Sequence, residues 1–285
     1  GTYSAQARTK RGNRRSEHLL RAAELWATLD TVRTGATYPA GRLRSLWQTV
    51  LLHQFHDILP GTSIAWVHQE AEATYARVAD ELQEIIDTAV RSLTGAGDRA
   101  LTANAAPVAL AGAPALGVSA AASVLPVAPE RYGDGWTFRH ERFHWAIDAR
   151  GLVVGAVDLT TGRELIDPAF PGGVLQLFRD TPREWDAWNI DAEDGTLGTT
   201  LADVVEIVAD GADLVVHRRF GSSELEQRYS VDPFSGALEI ALRLDWHERQ
   251  KMLKIAFPLR VRAERAESEI QFGHVSRPVH ANTTW

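Results

Sequence analysis

The segment Trp47–Ile64, WQTVLLHQFHDILPGTSI, carries the residues best placed to do chemistry. His53 and His56 lie three apart, a spacing that puts both on one face of a helix. Asp57 follows at the expected helix end, and Pro60-Gly61 breaks the chain there. A helix C-terminus concentrates unpaired carbonyls and favours a positive charge nearby, such as a metal ion. Imidazole nitrogen is a common ligand of divalent metals. An adjacent carboxylate can coordinate the ion, orient a ligand or contact substrate. A full shell needs two or three further donors, which the segment does not supply. On spacing alone, HxxHD on a helix is more often a satisfied polar patch.

Other residues have two readings each. Trp185 and Trp188 offer faces for sugar stacking, or serve as core or interface aromatics. Asp186, Asp191, Glu193 and Asp194 form a carboxylate-rich stretch that reads as a solvated loop. Arg8, Lys10, Arg11, Arg14 and Arg15 form a basic run that reads as a solvated helix start or a salt-bridge network between domains, rather than a phosphate site.

These residues need elements to hold them, and the chain changes character near residue 95. Before it, the apolar spacing is helical. A first helix is expected over about 14–31, with Leu19, Leu20, Ala23, Trp26 and Ala27 on one face. A second is expected over about 41–57, with Leu43, Leu46, Trp47, Val50, Leu51 and Gln54 on one stripe. A third opens at Thr62 or Ser63, either of which can cap it, and runs along Val67, Ala71, Thr74, Val78, Leu82, Ile85, Ala89 and Leu93 to Gly95. Short connections favour antiparallel packing, so residues 1–95 read as a three-helix bundle. Residues 96–130 read as a low-complexity linker with room for short strands. From 131 onward the pattern is antiparallel β. Phe143, Trp145 and Ile147 alternate, and a strand follows over 152–159. Asp210-Gly211 marks a hairpin between strands at 204–209 and 213–220. Further strands are expected over 237–246, 252–261 and 269–275. Many strands without intervening helices indicate a sandwich or barrel.

The bulk numbers exclude several classes. The 285 residues suffice for two domains, and 45% apolar with 24% charged residues is globular composition. A net charge of −7 argues against nucleic acid as the main partner. Without cysteine, neither disulfides nor a thiolate metal site can form, so any metal takes His and carboxylate ligands. No apolar run approaches the roughly 18 residues a membrane span requires. No signal-peptide pattern opens the chain. The reading is a soluble, cytoplasmic chain with no membrane partner.

QFHDILPGTSI resembles the signature of glycoside hydrolase family 38 α-mannosidases. Three other stretches resemble the family in the same order. GTYSAQARTKRGNRRSE is similar to the start of its middle domain. DTPREWDAWNID (Asp180–Asp191) is similar to a segment of its cytosolic and bacterial branch. LDWHERQKMLKIAFPL and IQFGHVSRPVHANTTW are similar to its C-terminal β-domain. The resemblance covers almost the whole chain. It implies an α+β multidomain fold, with a three-helix bundle followed by an antiparallel β-sandwich of the galactose-mutarotase-like type. It implies a retaining enzyme that removes terminal non-reducing α-D-mannosyl residues with a divalent metal, zinc or cobalt. His56 is then a metal ligand, and Asp57 and Tyr3 contact substrate. His53 has no such role implied and reads as structural. His274, Arg277 and His280 lie in a family-like motif that implies packing between domains as readily as catalysis.

The departures also carry meaning. The family's N-terminal catalytic domain, which supplies the nucleophile, the acid/base and the other metal ligands, has no counterpart in this sequence. No catalytic residue is therefore expected here, the chain alone is expected to be inactive and not to retain its metal, and the missing domain is its first partner. The β-domain is expected to be cut short at its C-terminal end, and the stretch 104–117 is shorter and richer in alanine than in the family. A homo-oligomer stays open. The alternative is a carbohydrate-binding or purely structural module without catalysis.

Overall fold

The computed structural model describes residues 5–186, 188–191, 194 and 198–280; Tyr3 and Glu193 lie outside the described residues. The fold is a helical bundle followed by antiparallel β-sheets. It divides into two compact units. The first is Gly1–Val124 with Arg179–Leu197, and the second is Leu125–Phe178 with Gly198–Trp285.

The first unit is built on α1 (Ala7–Thr34), α2 (Ala40–His53) and α3 (Ala65–Thr94). Leu20, Val50 and Leu82 are completely buried between them, each contributing about 1.5–3 kcal/mol by leaving water. The apolar stripes lie where the sequence places them, but α1 begins seven residues before the expected start. Its first turns bury Thr9, Asn13 and Ser16 rather than apolar groups, so no hydrophobic period announces them. Gly35 and Gly95, at φ 79° and 75°, end α1 and α3, and each donates its N–H back to the helix. The start of α3 also differs from expectation. Ile64 is its N-cap and no side chain caps it, because the hydroxyls of Thr62 and Ser63 point back to Asp57. Residues 96–124 add a small hairpin of β1 (Leu101–Asn104) and β2 (Gly117–Ala120).

In the second unit, β3 (Glu130–Tyr132), β4 (Gly135–Arg139), β5 (Phe143–Ile147), β6 (Val153–Asp158) and β7 (Arg163–Glu164) form a five-stranded meander. β8 (Val174–Arg179) pairs with β9 (Gly198–Thr200) and, on its other side, with β14 (Lys251–Ala256). β10 (Glu206–Asp210), β11 (Asp213–Phe220), β12 (Ser223–Val231) and β13 (Leu238–Asp245) form a four-stranded sheet. Gly211 turns β10 into β11 at φ 61°, as the Asp210-Gly211 pair requires. Phe138, Ile147 and Val153 of the meander share one apolar core with Leu214, Val216 and Tyr229 of the four-stranded sheet.

The single strand expected over 269–275 is instead the tip of a hairpin. β15 (Arg265–Ile270) and β16 (Gly273–Pro278) are joined by Gln271-Phe272. Phe272 takes a left-handed φ of 61° and is fully exposed. Apolar residues on both sides of the turn imitate one alternating strand.

Gly12 lets α1 pack tightly on the Tyr75 side chain of α3, since a Cβ there would lie 2.8 Å from its ring. Gly12→Ala is expected to destabilise the chain by about 1–3 kcal/mol through overpacking, against the direction of helix propensity. A urea titration followed by circular dichroism reads this as a lowered midpoint; an unchanged or raised one sinks the close-approach argument.

Candidate functional site

The loop between α2 and α3 is fixed at both ends. At its start, Gln54 donates to Asn13 Oδ1 at 3.0 Å and to Glu17 Oε1 at 3.1 Å. Asn13 donates to the same Glu17 oxygen at 2.9 Å, and Tyr75 OH reaches Asn13 at 3.4 Å. Burial and the nearby Glu17 charge push the Tyr75 phenol up to about 12, so it stays a neutral donor. His53 donates from Nδ1 to the Thr49 carbonyl at 2.8 Å, and its ring stands edge-on to Tyr75 at 5.5 Å.

The helix stops at His53, so His53 and His56 do not share a helix face as their spacing implies. Residues 54–61 instead fold into successive tight turns: Phe55 N–H bonds Leu52 O, Ile58 N–H bonds Phe55 O, and Gly61 N–H bonds Ile58 O. Ile58 packs against the bundle core and anchors these turns. The Asp57 carbonyl accepts the Ser63 N–H at 2.9 Å and the Ser63 hydroxyl at 2.7 Å. Asp57 Oδ1 accepts the Thr62 hydroxyl at 3.0 Å. Its other oxygen lies 3.4 Å from His56 Nε2. The two side chains are 75% and 47% exposed, so the pair is displayed outward while its backbone is committed inward.

Lys10 fixes the far end of the loop. Its ammonium donates to the Pro60 carbonyl at 3.1 Å and to the Ala5 carbonyl. Burial lowers its pKa. Gly61 allows this contact, because at φ 95° any Cβ would press within 3.2 Å of Ala5. The basic run therefore does not behave as one set. Lys10 is a loop clamp, whereas Arg8 and Arg14 make exposed ion pairs with Glu72 and Glu17.

The carboxylates Asp191 and Asp194 of the acidic stretch are not simply solvated either. Asp194 is buried, with Arg179 Nε at 2.7 Å and the Thr181 N–H at 2.8 Å. The Thr181 bond and the Arg179 guanidinium hold its carboxyl below the usual range. Asp191 accepts the Arg183 N–H at 3.0 Å. Trp185 and Trp188 are exposed, not core. His274 and Arg277 sit on β16 in the second unit and are exposed, as is His280.

His56 and Asp57 supply two donors, fewer than a divalent ion needs. Among the described residues no group of three or more His, Cys, Asp or Glu side chains could hold a metal ion. These residues do not by themselves fit a complete metal site. Among the described residues, too, no helix is long and apolar enough to cross a membrane.

The sequence matches two family models in succession: the alpha mannosidase middle domain over residues 1–93, and the glycosyl hydrolases family 38 C-terminal domain over residues 139–285. The chain belongs to glycosyl hydrolase family 38. All of it aligns with human alpha-mannosidase 2C1 at 31% identity and with the Saccharomyces cerevisiae alpha-mannosidase at 29%, covering 31% and 28% of those proteins. It shares the fold of an alpha-mannosidase from Enterococcus faecalis V583, with a TM-score of 0.77 at 15% identity over 100% of this chain and 46% of that one. A second Enterococcus faecalis protein of the family gives 0.75 over 97% and 48%, also at 15% identity. The chain thus spans about a third of the length of the curated relatives it matches.

Lys10→Met should free the loop without unfolding the bundle. Amide hydrogen exchange at Thr62 and Ser63 is expected to accelerate about tenfold, as for loss of one charge-assisted hydrogen bond, while the α3 core keeps its protection; unchanged exchange would remove Lys10 from this role. Acid should open the Asp194 clasp. A carboxyl with a lowered folded pKa contributes stability above its unfolded pKa, and that contribution is lost as pH falls through the folded value. Thr181 amide protection should therefore persist through the usual aspartate range near pH 4 and disappear below it, and Asp194→Asn should abolish it at neutral pH.

Proposed function

We propose that this chain is the middle and early C-terminal part of a retaining, metal-dependent α-mannosidase that removes terminal non-reducing α-D-mannosyl residues. The observation that carries this reading is the outward-facing His56–Asp57 pair on a loop whose backbone is held from both sides. Family membership supplies its context. His56 contributes one ring nitrogen to a divalent ion, zinc or cobalt, and Asp57 accepts a hydrogen bond from a sugar hydroxyl. Tyr3 is assigned a substrate contact on the resemblance alone. Retention needs a carboxylate nucleophile and a carboxyl acid/base roughly 5–5.5 Å apart. Both, with the remaining metal ligands, belong to parts of the whole protein that this chain does not span.

Three structural assignments go with this reading. Residues 1–95 form the middle domain, 96–130 the connection, and 131–285 the β-domain. The β-domain closes as a sandwich of the galactose-mutarotase-like type, for which the shared core of the meander and the four-stranded sheet is the support. The cytoplasm is the proposed location, on the resemblance to the cytosolic and bacterial branch.

The test is hydrolysis of an aryl α-D-mannoside by the whole protein. His56→Ala should lower kcat/KM by more than about 100-fold, beyond the usual effect of losing a group that only supports a ligand. A chelator should abolish turnover, and a divalent ion should restore it. The product should first appear as the α-anomer by proton NMR. An active His56→Ala protein, or a β-anomer, would overturn the reading. The chain alone should show no turnover.

A further inference from the structure

We infer that β13 is a dimerisation edge. It pairs antiparallel, about Ala241, with β13 of a second copy of the protein, and so joins two four-stranded sheets into one. This assembly stands apart from the mannosidase reading.

Among the described residues β13 has a neighbour on one side only, because it is the outer strand of its sheet. Where β12 turns into β13, the Asp232 N–H bonds the Ala237 carbonyl at 2.9 Å. Along an antiparallel ladder, bonded and non-bonded pairs alternate. Glu239, Ala241, Arg243 and Asp245 therefore bond to β12, while Leu238, Ile240, Leu242 and Leu244 aim their N–H and C=O groups away from it. The strand runs for eight residues without a proline, and its register against β12 is unbroken. Neither proline nor a bulge thus blunts this edge, and an open edge of that kind is a template for another strand.

The side chains fit one strand in particular. β13 reads LEIALRLD. Turned antiparallel on itself about Ala241, it sets Leu238 against Leu244 and Ile240 against Leu242 on one face, and Glu239 against Arg243 on the other. Each of these pairs occurs twice, as a twofold axis requires. Leu238 and Ile240 already pack against the core, and strand alternation puts Leu242 and Leu244 on their face. Those two leucines remain 42% and 38% exposed, and the second copy's Ile240 and Leu238 cover them. Glu239 and Arg243 are exposed, and neither side chain has a hydrogen bond or ion pair among the described residues. Pairing across the axis gives each an opposite charge. A strand of some other chain would need none of this symmetry, so a second copy is the occupant that the sequence of β13 favours.

Sedimentation equilibrium of the whole protein tests this, with a concentration-dependent monomer–dimer equilibrium expected. Glu239→Arg and Arg243→Glu, each alone, set like charges opposite each other twice, and each should weaken the dimer about tenfold. The two together restore both pairs and should return Kd to within about threefold of wild type. Amide exchange at Leu242 and Leu244, whose N–H groups face the edge, should slow as protein concentration rises in wild type and in the double variant. A protein that stays monomeric, an association that the single reversals leave unchanged, or a double variant no tighter than the single ones would overturn the proposal. Edge amides protected at every concentration in a monomer would also overturn it, since a strand of the same molecule would then hold the edge.

Discussion

One ammonium group shared between two carbonyls sets the geometry of the helical unit's outward surface. Lys10 reaches Pro60 and Ala5 together only because Gly61 lets the loop lie against the start of α1. At the other end of the loop, Gln54 is held by Asn13 and Glu17 from the same helix. α1 therefore grips both ends of a stretch with no regular secondary structure. The loop's inner hydrogen-bonding capacity is spent on Thr62 and Ser63, and His56 with one oxygen of Asp57 is what remains to face outward. A rigid scaffold presenting a short irregular segment is a common arrangement for binding residues.

Much of the bundle was legible in the sequence, because its core residues recur at helical spacing and its two long helices end in glycine. What periodicity could not reveal was polar burial. The first turns of α1 escaped detection because Thr9, Asn13 and Ser16 face inward. β12 escaped for the same reason: its inward positions include Ser223 and Gln227, both fully buried. The Asp210-Gly211 hairpin was readable because its turn chemistry is local and specific, whereas Gln271-Phe272 carries no such signal and passed for strand.

The candidate site shows the same division. His56 and Asp57 were singled out by their motif, but the helix expected to run to Asp57 ends four residues earlier, at His53. Thr62 and Ser63 looked like helix caps and serve Asp57 instead. Lys10 sat in a run of five basic residues with nothing local to separate it from its neighbours. Its role comes from contacts five and fifty residues away. Asp194 looked like one solvated carboxylate among several, and its bonds to the Thr181 N–H and to Arg179 set it apart.

The return of residues 179–197 to the helical unit bears on modularity. The chain passes between the two units three times, after residues 124, 178 and 197. Neither unit is one uninterrupted stretch of gene, so a single recombination junction cannot exchange one and leave the other whole. A breakpoint in the apparent linker would move the helices but strand the Arg179–Asp194 excursion with the foreign half. Exchanging either unit intact would therefore take more than one junction.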